Sequence, residues 1–254
     1  MILEGRDLAI GYADRVVGRG LDLRVRSGEV FALLGPNGGG KTTLLKTLLG
    51  LIPPLGGDVR LGGERLQDLS VRERARRAAY VPQVHSGFFA FTVEDLVLMG
   101  RSGRASVFTA PSARDREVAR AAIGRLGIGE LAERPYTRIS GGERQLALIA
   151  RALAQEPQVV VFDEPTASLD FGNQGRVLRE MRRLAADGLG VVFSTHDPNH
   201  ALRHADTVLL MRDGAPLVSG PSAEVITREN LQELYRTVIL EVGAHPDAAY
   251  LPAS

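Results

Sequence analysis

The most specific chemistry in the sequence is a glycine-rich stretch, Gly35-Pro36-Asn37-Gly38-Gly39-Gly40-Lys41-Thr42-Thr43. Its Gly35-x4-Gly40-Lys41-Thr42 spacing is the phosphate-binding-loop pattern. Small residues let successive backbone N–H groups converge on phosphate oxygens, and a helix opening near Lys41 turns its positive end towards the same anion. Lys41 brings a point charge for β- and γ-phosphates, and the Thr42 hydroxyl is a hard oxygen ligand for Mg²⁺. A second centre is Asp163-Glu164, where Asp163 suits Mg²⁺ held through water and Glu164 suits orienting or deprotonating an attacking water. Alone, that pair reads equally well as acids opening a loop before Pro165. The glycine loop in the same chain tips the reading towards catalysis.

The elements that must position these residues are legible around them. Val30-Phe31-Ala32-Leu33-Leu34 is a short apolar run, read as a buried strand that ends at the loop. Beyond the loop, Leu44, Leu45, Leu48 and Leu49 recur at helical spacing. Two further apolar runs, Val159 to Phe162 and Gly190 to Ser194, end at Asp163-Glu164-Pro165 and at Thr195-His196. Strands of this kind alternating with helices predict an α/β fold with a largely parallel sheet. From about Val84 to Ala154 the pattern turns helical, over Thr92 to Met99, Ala113 to Leu126 and Ser140 to Ala154. This stretch is read as a helical subdomain inserted into the α/β core. Gly243 to Ser254 carries Gly and Pro without periodicity and is expected to be a short, loosely ordered tail.

Composition bounds the remaining possibilities. The 254 residues, 44% of them hydrophobic, suit one large domain or two small ones with a substantial core. The absence of Cys excludes disulfides, thiolate chemistry and finger-type zinc. A net charge of +1 argues against a nucleic-acid partner. No apolar run approaches the roughly 18 residues a membrane span needs, and the first residues lack a secretion signal's apolar core. The chain is therefore expected to be soluble and intracellular. Lys41 and Lys46 are its only lysines, against a background of Arg. His196, His200 and His204 are spaced like metal ligands, but Pro198 interrupts them, so a zinc site is not expected. Arg72 to Arg77 reads as a solvated helix face rather than a nucleic-acid patch.

Six motifs in order give the chain a resemblance to the nucleotide-binding subunits of ATP-binding-cassette (ABC) transporters. Besides the glycine loop and the Asp163-Glu164 strand end, there is a signature-like Ile139-Ser140-Gly141-Gly142-Glu143-Arg144-Gln145, with Glu143 where the family most often has Gln. Tyr80-Val81-Pro82-Gln83 resembles the Q-loop, Ser168-Leu169-Asp170 the D-loop, and His196 the switch histidine; Tyr12 lies where the family has an adenine-stacking aromatic. The resemblance implies a P-loop NTPase (RecA-like) core with an N-terminal antiparallel β subdomain, over about 1–83 and 155–242. The helical subdomain would span about 84–154, all within a single cassette of residues 1–254. It implies ATP and Mg²⁺ as cofactors and a head-to-tail homodimer in which each ATP lies between one glycine loop and the partner's signature segment. The implied roles follow. Tyr12 stacks adenine; Gly35, Pro36, Asn37, Gly38, Gly39, Gly40, Lys41, Thr42 and Thr43 bind phosphates; Thr42, Gln83 and, through water, Asp163 hold Mg²⁺. Glu164 is the general base, with Lys41, Gln83 and His196 at the γ-phosphate, and Ser140, Gly141, Gly142 and Asp170 close the partner's site. Ser140-x-x-Glu143 is also a capping box opening the helix that ends at Ala154.

The stretch from Tyr80 to Arg101, with Val97-Leu98-Met99-Gly100-Arg101, is similar to importers for iron–siderophore, haem, cobalamin and molybdate-type substrates. That implies a peripheral ATPase on the cytoplasmic face of the inner membrane, driving import of a metal chelate such as an iron–siderophore, haem or cobalamin. A molybdate or tungstate oxyanion importer and a non-transport ABC ATPase are the alternatives. Two permease subunits would dock near Gln83 to Phe91, where Phe88, Phe89 and Phe91 form either a core cluster or an exposed groove, and a substrate-binding protein would act indirectly. A chromosome or DNA-repair ATPase would need a long coiled coil between Lys41 and Ser140, and no heptads occur there.

Overall fold

In the computed structural model, which describes residues 1–83, 91–104, 110–243 and 248–253, three layers surround a central sheet. The chain opens with two long antiparallel strands, β1 (Leu3–Tyr12) and β2 (Arg15–Val25), followed by β3 (Val30–Leu34) and helix α1 (Lys41–Leu48). Strands β4 (Gly56–Leu61) and β5 (Glu64–Arg65), helix α2 (Val71–Arg77) and strand β6 (Ala78–Val81) come next. Helices α3 (Val93–Leu98), α4 (Ala113–Arg125) and α5 (Gly141–Ala154) then form the helical layer. The chain returns through β7 (Val159–Phe162), α6 (Phe171–Ala186), β8 (Gly190–Thr195), α7 (Pro198–His204), β9 (Thr207–Arg212) and β10 (Ala215–Pro221). It closes with α8 (Ser222–Val225), α9 (Arg228–Tyr235), β11 (Ile239–Val242) and β12 (Ala249–Pro252).

The six-stranded sheet has the order β10-β9-β3-β8-β7-β6, parallel except for the β10 edge. A four-stranded antiparallel sheet, β2-β1-β4-β5, lies over one side of it. Every residue of β3, β7 and β8 is buried, as continuous apolar runs in a sheet covered on both faces require. Strand alternation divides the core. Phe31, Leu33, Val159, Val161 and Val192 pack against α1 and the antiparallel sheet, whereas Val30, Ala32, Leu34, Val160, Phe162 and Phe193 pack against the helices.

The helical layer is pinned to the sheet layer through Arg101. Its guanidinium is buried and donates to Asp115 Oδ1 (2.9 Å), the Ala154 carbonyl (2.7 Å) and Glu156 Oε2 (2.8 Å), joining the ends of α3, α4 and α5. Ser112, with Arg101 second, holds the Asp115 carboxyl down at about 2. The α2 helix buries none of its residues, in keeping with a solvated arginine face.

The end of the chain departs from the expected loose tail. Residues 249–252 form β12, paired antiparallel with β11, and Tyr250 is buried. The Asn199 amide donates to the Tyr250 carbonyl (3.0 Å) and accepts from its N–H (2.8 Å), tying β12 to α7. A buried aromatic and two backbone hydrogen bonds thus order a segment whose Pro and Gly conceal a strand.

Arg101→Ala strands a buried carboxylate and a buried carbonyl, and the expected cost is about 2–4 kcal/mol, read as a lowered urea midpoint. Because Asp115 is depressed in the folded chain, its own contribution is held above about pH 4 and lost as pH falls towards 2.

Candidate nucleotide site

The carboxyl ends of four neighbouring parallel strands deliver the site, where open α/β sheets hold ligands. The glycine loop leaves β3, Asp163 and Glu164 follow β7, His196 follows β8, and Gln83 lies just past β6. Together Tyr12, Arg15, Val17, residues 37–43, Gln83 and Glu164 line a cavity of about 440 Å³. Gly40 caps α1 with φ 95° and no side-chain cap, so the first-turn amides face the cavity. A Cβ there would lie 2.9 Å from Met211 Cε, so only glycine suits both the turn and the packing.

Lys41 is buried, and its ammonium donates to the Gly35 (2.7 Å) and Pro36 (3.0 Å) carbonyls. Glu164 Oε1 lies 3.2 Å from the same Nζ, and Glu164 Oε2 lies 3.3 Å from His196 Nδ1. Glu164 takes a left-handed backbone (φ 44°), a strained position held by these contacts and by its N–H donating to Ser194 Oγ at 2.9 Å. Asp163 is buried and accepts from Thr42 Oγ1 (3.1 Å), Ser194 Oγ (2.8 Å) and Tyr80 OH (3.1 Å). Burial and the Asp163 charge push the Tyr80 phenol well above its ordinary value, so it remains a donor.

Thr42 and Asp163 offer two hard oxygens side by side, which fits Mg²⁺ sharing its sphere with phosphate and water. Among the described residues no cluster of three or more His, Cys, Asp or Glu side chains is suited to hold a metal by itself. His200 and His204 sit on α7, half-buried rather than on the outer surface as expected, and burial lowers both their pKa values.

Ser140, Gly141, Gly142 and Asp170 do not line this cavity. They form a separate cluster. Ser140 caps α5 in a full capping box, with its N–H donating to Glu143 Oε2 (2.7 Å), which holds the Glu143 carboxyl below its usual range. Glu143 thus does a capping job that Gln also does. Asp170 caps α6 and accepts from the Asn173 N–H (2.9 Å) and side-chain amide (2.7 Å). Asn173 in turn lies against Gly142, where an added Cβ would fall 2.3 Å from its Cγ. The signature-like turn and the D-loop-like turn are therefore fitted to each other.

Phe88 and Phe89 fall outside the described residues; Phe91 is exposed. The sequence reading missed Ser194, Tyr80, Arg15, Val17 and Asn173. Ser194 and Asp163 each follow the paired residues Phe193 and Phe162 of adjacent parallel strands, so the register sets them side by side. The signal was present, but only once the strand order is known.

A sequence profile described as ABC transporter matches residues 19–167. The chain belongs to the ABC transporter family. An uncharacterised ABC transporter ATP-binding protein of Haemophilus influenzae is 44% identical over 93% of this chain and 90% of its own length. A hemin import ATP-binding protein of Gloeobacter violaceus is 43% identical, covering 87% of this chain and 84% of its own. Among solved structures, a putative metal-chelate type ABC transporter in an inward-facing conformation superposes with a TM-score of 0.88 at 34% identity, over 100% of this chain and 97% of that one. The fold of this ABC family member is that of a P-loop NTPase.

Ser194→Ala removes the hydroxyl shared by Asp163 and the Glu164 N–H, and a loss of about 1–3 kcal/mol is expected on denaturant unfolding. An unchanged midpoint would show that the two acids are held by other contacts.

Proposed function

We propose that this chain is the ATP-hydrolysing subunit of an importer for a metal chelate, working as a head-to-tail pair on the cytoplasmic face of the inner membrane. The observation that carries the ATPase reading is the Glu164 carboxylate, set between Lys41 (3.2 Å) and His196 (3.3 Å) at the mouth of an amide-lined loop. The metal-chelate cargo is supported by the hemin-import relative and by the metal-chelate type structural neighbour. No helix among the described residues is long and apolar enough to cross a membrane, so the reading assigns the span to a separate permease.

In this reading the loop amides and Lys41 neutralise the phosphates, and Lys41 trades its two carbonyls and Glu164 for phosphate oxygens. Mg²⁺, held by Thr42, by Gln83 and through water by Asp163, would supply charge neutralisation at the β- and γ-oxygens. Glu164, released from Lys41, takes the proton of the attacking water, and His196 contacts the γ-phosphate. Tyr12, half exposed at the cavity wall, stacks the adenine. Ser140, Gly141 and Gly142 at the tip of α5 offer a hydroxyl, amides and a helix N-terminus to the partner copy's γ-phosphate, with Asp170 alongside. Gln83 sits at the cavity rim on the segment leading to the helical layer, placed to report the γ-phosphate.

The permease is assigned to a second cavity, lined by Leu49, Leu51, Val71, Arg74, Tyr80 and Arg151 among others. Val71 and Leu51 are exposed apolar side chains there, and Arg151 brings a largely buried guanidinium. An apolar depression of this kind suits an amphipathic segment of a membrane protein.

Glu164→Gln is expected to lower ATP turnover on the order of 100-fold or more while a MgATP-dependent dimer accumulates in sedimentation; turnover at the wild-type rate would remove the base assignment. Val71→Asp is expected to weaken permease co-purification roughly tenfold or more with ATPase activity of the isolated chain retained. Co-purification at the wild-type level would place the docking surface elsewhere.

A further inference from the structure

The β11–β12 hairpin carries an apolar face that the nucleotide reading does not use. Strand alternation turns Ile239 and Tyr250 inward, where they are buried, and turns Val238, Leu240 and Val242 outward with Leu251. Leu240 and Leu251 are paired across the strands and are 50% and 49% exposed. A two-stranded ribbon with one face in the core and an aliphatic opposite face is marginal in water by itself, and contiguous exposed apolar surface marks an interaction site.

What the hairpin is attached to indicates its partner. Asn199 binds the Tyr250 backbone in both directions, and Asn199 lies on the helix that follows His196. The Tyr235 hydroxyl, at the end of α9 just before β11, donates to the His196 carbonyl at 2.7 Å. On the other side, a cavity of about 600 Å³ runs from Ala249 of β12 to Phe171, and Phe171 is 92% exposed and directly follows Asp170. The aliphatic face is therefore continuous, through Ala249 and Phe171, with the residues that the proposed dimer turns towards its second copy. None of its residues lines the cavity assigned to the permease.

We propose that the outward face of β11–β12, Val238, Leu240, Val242 and Leu251, is a second contact between two copies of this chain, beside the nucleotide sandwich and independent of nucleotide. The inference rests on the two-copy reading of the proposed function. A two-fold axis through such a ribbon sets like against like, so one aliphatic patch serves both partners. This contact keeps the cassettes joined when the glycine loops and signature turns separate.

The chain has no Cys, so one introduced thiol reports one position. Leu240→Cys and Leu251→Cys, each in the full chain, are treated with a short bismaleimide with and without MgATP in the Glu164→Gln background. Arg114→Cys, exposed on α4, is the control. Docked thiols are expected to cross-link roughly tenfold faster than the control in both conditions, and Leu240→Asp is expected to abolish sedimentation of a dimer formed without nucleotide. Cross-linking at the control rate while the MgATP dimer forms overturns this contact alone. Control-rate cross-linking with no dimer in any condition overturns it together with the two-copy reading. Cross-linking without a MgATP-dependent dimer supports the contact and removes the sandwich. Fast cross-linking only when a permease is present assigns the face to the permease and overturns the proposal.

Discussion

A buried ammonium governs this site. Lys41 is 5% exposed, and a buried cation holds its charge only when oxygens surround it. Here they are two backbone carbonyls of the loop and the Glu164 carboxylate. The loop must curl tightly to present those carbonyls, so Gly40 adopts its positive φ, and β7 must end where Glu164 reaches Lys41. Asp163, one residue earlier, is then fixed beside Thr42 by Ser194 and Tyr80. One constraint thereby sets loop, strand order and acid pair together. Phosphate oxygens satisfy the same requirement, so ligand binding exchanges one oxygen shell for another rather than building one.

How much of this the sequence discloses depends on whether the determinant is local. The loop is legible because anion chemistry restricts residue types at fixed spacing, and β3, β7 and β8 because burial on both faces leaves unbroken apolar runs. The capping residue Ser140 is likewise local. Ser194 and Tyr80 are different, since each holds Asp163 across a strand pairing that no short window contains. The long strands β1 and β2 carry several register shifts, which blur their alternation. The final strand was hidden because its support, Asn199, lies far away in sequence. The fold class and most site residues thus follow from local rules, while their supporting residues follow from topology.

Two half-sites lie on one chain without forming one cavity. The glycine loop with Lys41 and Glu164 makes one, and the Ser140 turn locked to Asp170 through Asn173 makes the other. Asn173 closes against Gly142, so displacement of the D-loop-like turn would be felt at the signature turn and the reverse. This coupling gives a physical route by which closure around one nucleotide senses the other. The Arg101 junction is equally suited to carrying motion, since it links the helical layer bearing Ser140 to the chain entering β7.

The central claim is that these half-sites are completed only between copies. The most direct test is the MgATP hydrolysis rate per chain, measured across a wide dilution series of the purified protein. The account predicts a rate per chain that rises in proportion to concentration when dilute and levels off as the pair saturates. A rate per chain that stays constant at every dilution, with sedimentation showing single chains throughout, would contradict it.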